Sequence, residues 1–445
     1  MDTKLPEEIK EIFSKFEKGN LEIFLVGGAV RDLIMKRMVD DWDFTTNATP
    51  EAILGLFPDG KYENKFGTVM LPSKLVETPF DITTYRTEYG YSDTRRPDKV
   101  KWGKSLSEDL KRRDFTINAI ALDPKLKITD PFSGQMDLKK KIIRAVGEPS
   151  ERFGEDALRM MRAVRIASEL GFVIEENTFE AIKMNAILIN KIAKERIRDE
   201  ILKILGSPNP YEGMMMFKNS GLMEETLPEL QKTFGVDQKS PERHHIYDVG
   251  THSLMSLKYC NSINPIVRLA VLLHDIGKPL TYKKLESGVV TFYNHEVIGA
   301  KIARRIADRL KLSKKQSIKL VKLVRQHQFT VDEHQTDKAI RRFIKKVGLE
   351  NIEDMLELRR ADRLGSGARE TSWRTEDFKK RLIEVQKQPF TVHDLKIKGN
   401  EIMKELNIKP GPKVGEILKK LYKEVVNKKT ENTKKALLES LKTIS

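Results

Sequence analysis

The feature that most constrains the fold is an alternation packed into residues 21–46. An apolar run (LEIFLV, 21–26) is followed by two glycines, a helical stretch (AVRDLIMKRM, 29–38) and a second short run (WDFTT, 42–46). Short runs of β-branched and aromatic residues predict buried strands, and both runs fit, with glycine ending the first. Gly27 and Gly28 let backbone N–H groups approach a phosphate at a helix start, where the dipole favours anions. Side chains alternate along a strand, so Asp41 and Asp43 are expected on one face with Trp42 on the other. Two carboxylates a pleat repeat apart can share one or two Mg²⁺ ions, and little else makes that crowding of charge tolerable. An isolated Asp-x-Asp reads as a solvated turn. Preceded by Gly-Gly-x-x-Arg-Asp, it reads as a centre for metal-assisted transfer of a nucleotidyl group.

A chain of 445 residues has room for two to four domains. With 33% charged and 39% hydrophobic residues it belongs with globular rather than disordered chains. No apolar run approaches the roughly 18 residues a membrane span needs, and the first thirteen residues lack the apolar core of a signal peptide. The single cysteine, Cys260, excludes an internal disulfide and suits a reducing compartment. A cytoplasmic protein without a membrane partner is therefore expected. The net charge of +16 favours a polyanionic partner, although charge alone does not separate nucleic acid from an anionic membrane surface.

Residues 1–20 form an amphipathic pattern with Ile9, Ile12, Phe13 and Phe16 on one side. Across 21–145 strand and helix signals alternate. Thr49 caps a helix with Pro50 in its first turn, and residues 67–71 (GTVML) and 81–85 (DITTY) read as strands. The latter brings Asp81 forward as a third carboxylate beside Asp41 and Asp43. Residues 86–104 are polar, contain Gly90, Pro97 and Gly103, and read as a long mobile loop. Within 108–119 (EDLKRRDFTINA), Arg112 and Arg113 are placed to grip a triphosphate, where a planar fork is worth more than a point charge. A basic helix end on the surface is the plain alternative.

Residues 151–235 read as helical throughout. In 155–165 (EDALRMMRAVR) a continuous helix gathers Ala157, Met160, Met161 and Val164 on an apolar stripe. Asp156, Arg159, Arg162 and Arg165 wind across the opposite face. Such a face is normally just solvated, but three cations in a row repel unless an anion sits near them. Cytosine and adenine both present an amino donor beside a ring-nitrogen acceptor. An accepting Asp beside a donating Arg fits those two bases and clashes with uracil and guanine. Arg162 and Arg165 remain to hold phosphate or the acceptor strand.

As a set, FLVGGAVRDLIM (24–35), DWDFTT (41–46), FGTVML (66–71), GYSDTRRPD (90–98), EDLKRRDFTINAIA (108–121), DPFSG (130–134) and EDALRMMRAVR (155–165) resemble the class II tRNA nucleotidyltransferases, the bacterial CCA-adding enzymes, and their poly(A) polymerase relatives. The resemblance runs in family order over about residues 20–235, and residues 397–418 (IKGNEIMKELNIKPGPKVGEIL) are similar as well. It implies an α+β fold with a polymerase-β-like nucleotidyltransferase head (1–145), an all-α neck that recognises the base (146–235), an HD-type helical domain (236–385) and a helical, tRNA-binding tail (386–445). It implies that Asp41 and Asp43 hold catalytic Mg²⁺, and that Gly28, Arg31, Arg113, Asp156, Arg159, Arg162 and Arg165 contact the nucleotide. Asp156 and Arg159 then serve as a protein template, in agreement with the hydrogen-bond argument. The reaction implied is attack of the tRNA 3′-hydroxyl on the α-phosphorus of CTP or ATP, with release of pyrophosphate. Family members that add only the cytidines lack the flexible loop, which residues 86–104 retain. An A-adding enzyme and a poly(A) polymerase stay open, because they keep the same catalytic motifs.

A second constellation lies in residues 240–365, which hold seven of the eight histidines. His274-Asp275 follows an apolar run, His252 precedes it and Asp362 follows, giving the H…HD…D order of the HD phosphohydrolase superfamily, which this region resembles. His295 and His327 lie where some members supply further ligands. Imidazole and carboxylate ligands suit a second, divalent transition metal that activates water on a phosphoester. Some family members carry such a domain with 2′,3′-cyclic phosphodiesterase and phosphatase activity; an RNA-binding body without hydrolysis is the alternative. Residues 359–369 and the lysine-rich 419–442 are expected to line a groove for the tRNA acceptor arm, and Gly411-Pro412 opens a helix there. Two other classes remain at this stage: a phosphohydrolase whose head only binds RNA, and a non-catalytic RNA-binding protein.

Overall fold

The helix Glu7–Lys18 buries Ile9, Ile12, Phe13 and Phe16, the apolar stripe that the sequence predicts, with Glu7 and Glu8 in its first turn and Lys15 and Lys18 in its last. It packs on a seven-stranded mixed sheet, where Phe13 meets Phe44 edge-on at 5.9 Å between ring centroids. The structure is a computed structural model and describes residues 5–62, 67–76, 78–89, 99–102, 105–238, 246–329, 331–332, 334–386, 392–427 and 429–444.

The head strands are β1 (Ile23–Val26), β2 (Asp43–Thr46), β3 (Lys61–Tyr62), β4 (Thr68–Leu71), β5 (Phe80–Thr84), β6 (Arg86–Tyr89), β7 (Lys99–Trp102), β8 (Ala121–Leu122) and β9 (Ile128–Thr129). The sheet order is β3-β4-β5-β2-β1-β8-β9, with β2 parallel to β5 and the other neighbours antiparallel. Register decides where the chemistry falls. Val26 pairs with Asp43, and Asp43 pairs with Asp81, so the glycine turn after β1 emerges beside the acidic start of β2.

Local boundaries differ from the sequence reading. Strand β2 begins at Asp43, so Asp41 belongs to the lead-in and does not share the strand's pleat. The glycine turn feeds a helix of only seven residues, Gly28–Ile34. Residues 86–104 are not a loop from end to end: β6 and β7 pair as an antiparallel ladder from Arg86↔Trp102 to Tyr89↔Lys99. The expected mobile tip, 90–98, and residues 103–104 lie outside the described residues. Thr49 does cap the helix Pro50–Leu56 through the Ala52 N–H.

The neck carries one departure with consequences for the site. Residues 155–165 are not one helix. Pro149–Glu155 ends at Asp156, whose backbone is extended (φ −140°, ψ 103°), and a new helix, Leu158–Leu170, begins two residues on. The Asp156 carboxylate accepts from the Leu158 N–H, an arrangement that competes with helix continuation. A short strand, Val173–Ile174, also interrupts the otherwise helical neck and pairs with Ile142–Ile143.

Apolar contacts form one continuous buried cluster from Leu5 to Val385, linking head, neck and the histidine-rich region. Arg268 is a buried cation on the otherwise apolar helix Pro265–Leu273, and it donates to the carbonyls of Leu205 and Ser207 at 2.7 Å each. It thereby satisfies carbonyls at the end of the neck helix Lys194–Gly206. A separate cluster around Ile402, Ile417, Leu421 and Leu437 makes the core of the tail. There the helix Pro412–Val426 starts at Gly411, as the sequence predicts.

Candidate functional site

The start of β2, the helix Gly28–Ile34 and the neck helix Leu158–Leu170 enclose a cavity of about 650 Å³. Gly28, Arg31, Asp41, Asp43, Asn118, Arg162, Arg165 and Lys203 are among its lining residues. Gly27 makes the close approach: its φ is +72°, and a Cβ there would stand 3.0 Å from Arg113 Nη1 and 3.3 Å from Asp43 Oδ2. The left-handed backbone favours glycine there, and any side chain would also have to push those two groups aside. Burial, followed by the carboxylates of Asp41 and Asp81, pushes the Asp43 carboxyl up to about 6 despite Arg113. A carboxylate desolvated among its own kind is a site that a cation relieves. Asp81 stands beside Asp43 in register, yet among the described residues these acids do not converge into a three-ligand cluster.

The arginines are held by partners that sequence reasoning left unassigned. Asp109, fully buried, accepts from Arg112 at 2.6 Å and Arg113 at 3.4 Å. Burial acts to raise the Asp109 carboxyl, but Arg112 and Arg113 hold it below its ordinary value. Arg113 Nε is buried with no partner among the described residues. Asp114 accepts from Arg162 through Nε at 2.8 Å and Nη2 at 2.6 Å, and from Asn118 Nδ2 at 3.0 Å. Asn118 Oδ1 in turn accepts from Arg31 at 3.0 Å, and Asp32 takes the rest of that guanidinium. A polar chain thus runs from the neck through Asp114 and Asn118 to the glycine turn. The signal in the sequence was the four-residue spacing of Asp114 and Asn118. Arg165 pairs with Glu169 and with buried Glu200.

Asp156 and Arg159 do not line this cavity. The break in the neck helix turns the Asp156 carboxylate to Arg196 at 3.2 Å. Arg159 spends its guanidinium on Glu155 at 2.6 Å and on the Arg112 carbonyl at 2.8 Å. The two are therefore not a side-by-side acceptor–donor pair on one helix face. Arg159 nonetheless abuts the segment that carries Arg113 and Asp114.

In the second region the fold assembles six ligand-type side chains from five separate segments. His252, His274 and Asp275 form one set, and Asp275, His295 and His327 form another, with ligand atoms within 4.8 Å of one another in each. Asp275 belongs to both: Oδ2 lies 3.2 Å from His274 and Oδ1 lies 3.3 Å from His295. Asp362 closes the first set at 3.1 Å from His252. Burial tends to lower His274, but Asp275 and Asp362 overcome it and raise the ring to about 10. Burial and His274 push His327 down to about 3, keeping it the neutral base that a metal takes. Four imidazoles around a shared carboxylate are a donor set for divalent transition metals. Lys278, three residues after Asp275, reaches Asp275 at 2.7 Å and Gln238 at 2.7 Å.

A mixed sheet with a glycine turn, an acid-edged cavity and a helical neck defines a nucleotidyltransferase. Residues 23–144 match the poly A polymerase head domain, residues 171–234 match the "Probable RNA and SrmB- binding site of polymerase A", and residues 291–441 match tRNA nucleotidyltransferase domain 2. The chain belongs to the CCA-adding enzyme family. It is 35% identical to a CCA-adding enzyme of Ligilactobacillus salivarius over 98% of this chain and 97% of that one. A Limosilactobacillus reuteri CCA-adding enzyme is 49% identical over 49% of this chain and 54% of its own length. Among solved structures, a Bacillus stearothermophilus CCA-adding enzyme in complex with CTP superposes with a TM-score of 0.71 at 29% identity, covering 98% of this chain and 96% of that one. No helix among the described residues is long and apolar enough to cross a membrane.

Proposed function

We propose that this protein adds the 3′-terminal CCA to tRNA from CTP and ATP without a nucleic-acid template. The observation that carries the reading is the cavity of about 650 Å³ that brings Asp41, Asp43, Arg31, Arg162 and Arg165 together beneath the glycine turn. The relatives named above are CCA-adding enzymes, and the Bacillus stearothermophilus protein was solved in complex with CTP. Asp41 and Asp43 would hold Mg²⁺, which the crowded carboxylates fit and which would supply charge neutralisation at the reacting phosphate. Arg113, whose Nη1 stands beside the Gly27 turn, and Arg31, once a phosphate displaces Asp32 from it, grip the triphosphate, and Gly28 offers backbone N–H to it. Arg162 and Arg165 face the cavity and contact the nucleotide or the acceptor strand. Asp156 and Arg159, which stand outside the cavity, act as the base-reading pair once a nucleotide draws Asp156 from Arg196 and Arg159 from Glu155 and the Arg112 carbonyl. The tRNA 3′-hydroxyl attacks the α-phosphorus and pyrophosphate leaves.

The division into head (1–145), neck (146–235), HD-type region (236–385) and tail (386–445) follows from the same reading, with the basic tail on the tRNA and the enzyme at work in the cytoplasm. The test offers tRNA lacking three, two or one 3′-nucleotides with each NTP separately. Two C and one A should be added in order. Addition of A alone to tRNA ending in CC defines an A-adding enzyme instead, and an indefinite run of A defines a poly(A) polymerase.

A second activity is favoured by the two ligand sets that share Asp275. His252, His274, Asp275 and Asp362, with His295 and His327, would hold divalent transition metal, which would supply an activated water for phosphoester hydrolysis. Lys278 is positioned to neutralise charge beside Asp275. Metal-reconstituted protein should hydrolyse 2′,3′-cyclic or terminal phosphates, and the Asp275→Ala variant should not.

A further inference from the structure

We propose that Arg359 and Tyr293 make the histidine-rich cavity a receptor for a nucleotide bearing a terminal phosphate, Arg359 taking the phosphate and Tyr293 the base. The proposal rests on the reading of the histidine cluster as a metal centre and adds two residues outside its H…HD…D pattern. The cavity holds about 400 Å³, room for a mononucleotide end rather than a duplex. Its floor is the buried ligand set of Asp275, His295 and His327.

Arg359 and Asp362 lie three residues apart on the helix Ile352–Gly365 and so share one face. That spacing puts a guanidinium beside the ligand carboxylate, with Nη1 3.7 Å from Asp362. The distance is too long for a hydrogen bond, and Arg359 donates none to another described residue. Its position is held instead by the Phe329 ring, 5.7 Å below the guanidinium carbon. A planar fork with open donors, lining a cavity over metal-ligating side chains, matches the non-bridging oxygens of a phosphate. Lys278 differs, because its ammonium is already engaged by Asp275 and Gln238.

At the mouth, Tyr293 lines the same cavity two residues before His295, yet is 76% exposed. Phe292, its neighbour, packs inward against Tyr282 at 5.8 Å between ring centroids, so the pair divides into a buried anchor and a free outer ring. A large aromatic face left in water beside a phosphate-sized polar cavity is a platform on which a base stacks without sequence preference. A phosphate deep in the cavity with the base at the mouth therefore selects nucleotide ends over small phosphomonoesters.

The test uses the full chain loaded with Mn²⁺ and saturated with CTP, so that the head cavity is filled. Stopped-flow fluorescence follows 2-aminopurine riboside as its 3′-phosphate, its 5′-phosphate and the free nucleoside, with binding read before turnover. Arg359→Ala should weaken the phosphorylated probes by about tenfold and leave the free nucleoside unchanged, with part of the loss restored in Arg359→Lys. Tyr293→Ala should weaken every probe by about fivefold and reduce quenching, while Tyr293→Phe binds as the parent does. The two phosphate arms show which end is held. CMP incorporation should be unchanged in the two Tyr293 variants. Parent-like affinities in Arg359→Ala and Tyr293→Ala, with Mn²⁺ uptake by electron paramagnetic resonance intact, overturn this proposal alone. Mn²⁺ uptake that is the same in the parent and in Asp275→Ala, leaving only the ions at Asp41 and Asp43, overturns the metal-centre reading, and this proposal with it.

Discussion

Replacing Asp114 with asparagine removes the charge that anchors Arg162 while leaving the shape nearly unchanged. In the folded protein Asp114 is almost fully buried and takes both Nε and Nη2 of Arg162 on one oxygen. Burial acts to raise its pKa, but Arg162 and Asn118 hold the carboxyl well below the usual range. Breaking a buried pair by removing one partner costs roughly 3–5 kcal/mol. Arg162 keeps 37% of its side chain in water, which takes over part of the lost interaction and brings the expected cost to about 2 kcal/mol. Asp114→Ala should cost ~1 kcal/mol more, since the Asn118 amide and the Phe115 N–H then also lose their acceptor. The assay is a double-mutant cycle of Asp114→Asn with Arg162→Gln, read by equilibrium denaturation on the transition that reports the head. A depressed folded-state pKa means that the stabilisation is fully present above the unfolded value of about 3.9 and is lost as pH falls through the folded value. The difference between parent and Asp114→Asn should therefore be flat from pH 6 to 8 and shrink below about pH 4. A coupling energy within about 0.5 kcal/mol of zero would refute the reasoning.

Asp41→Ala should reduce CMP incorporation to below about a thousandth of the parent rate. Phosphoester hydrolysis should survive in the same variant; joint loss of both activities would place them at one centre. Metal uptake by the histidine cluster should release close to one proton per ion near neutral pH, because His274, raised to about 10, must give up its proton to ligate. Affinity should then rise almost tenfold per pH unit between 6 and 8, and a pH-independent affinity there would contradict the arrangement. Gly277→Ala should destabilise the histidine-rich region by about 1–3 kcal/mol, since the new methyl meets the His295 carbonyl and comes within 2.6 Å of the Gly299 N–H. The backbone at Gly277 is ordinary (φ −82°), so the cost is steric, and it should show as weaker metal binding as well as a lower melting temperature.

Local chemistry made much of this protein legible in the chain. The lead helix, the glycine turn, the Thr49 cap and the strand pair at 23–26 and 43–46 follow from patterns a few residues long, because apolar periodicity and capping act between neighbours. So does the H…HD…D order, whose members carry recognisable ligand chemistry even when far apart. What failed was continuity: the expected helix through 155–165 breaks at Asp156, where an acid that caps the next helix competes with the helix it ends.

Contacts between distant segments were not readable. Asp114 gains its role from Arg162, 48 residues later, and Arg359 gains its role from standing over Phe329 beside Asp362. No short pattern encodes which carboxylate a given arginine will meet, since that depends on strand register and helix packing summed over the whole core. The residue types thus set which chemistries were available, namely acid pairs, guanidinium forks and imidazole ligands. Packing set which of them share a cavity, because electrostatic and metal-binding interactions act over a few ångströms of space rather than a few residues of chain.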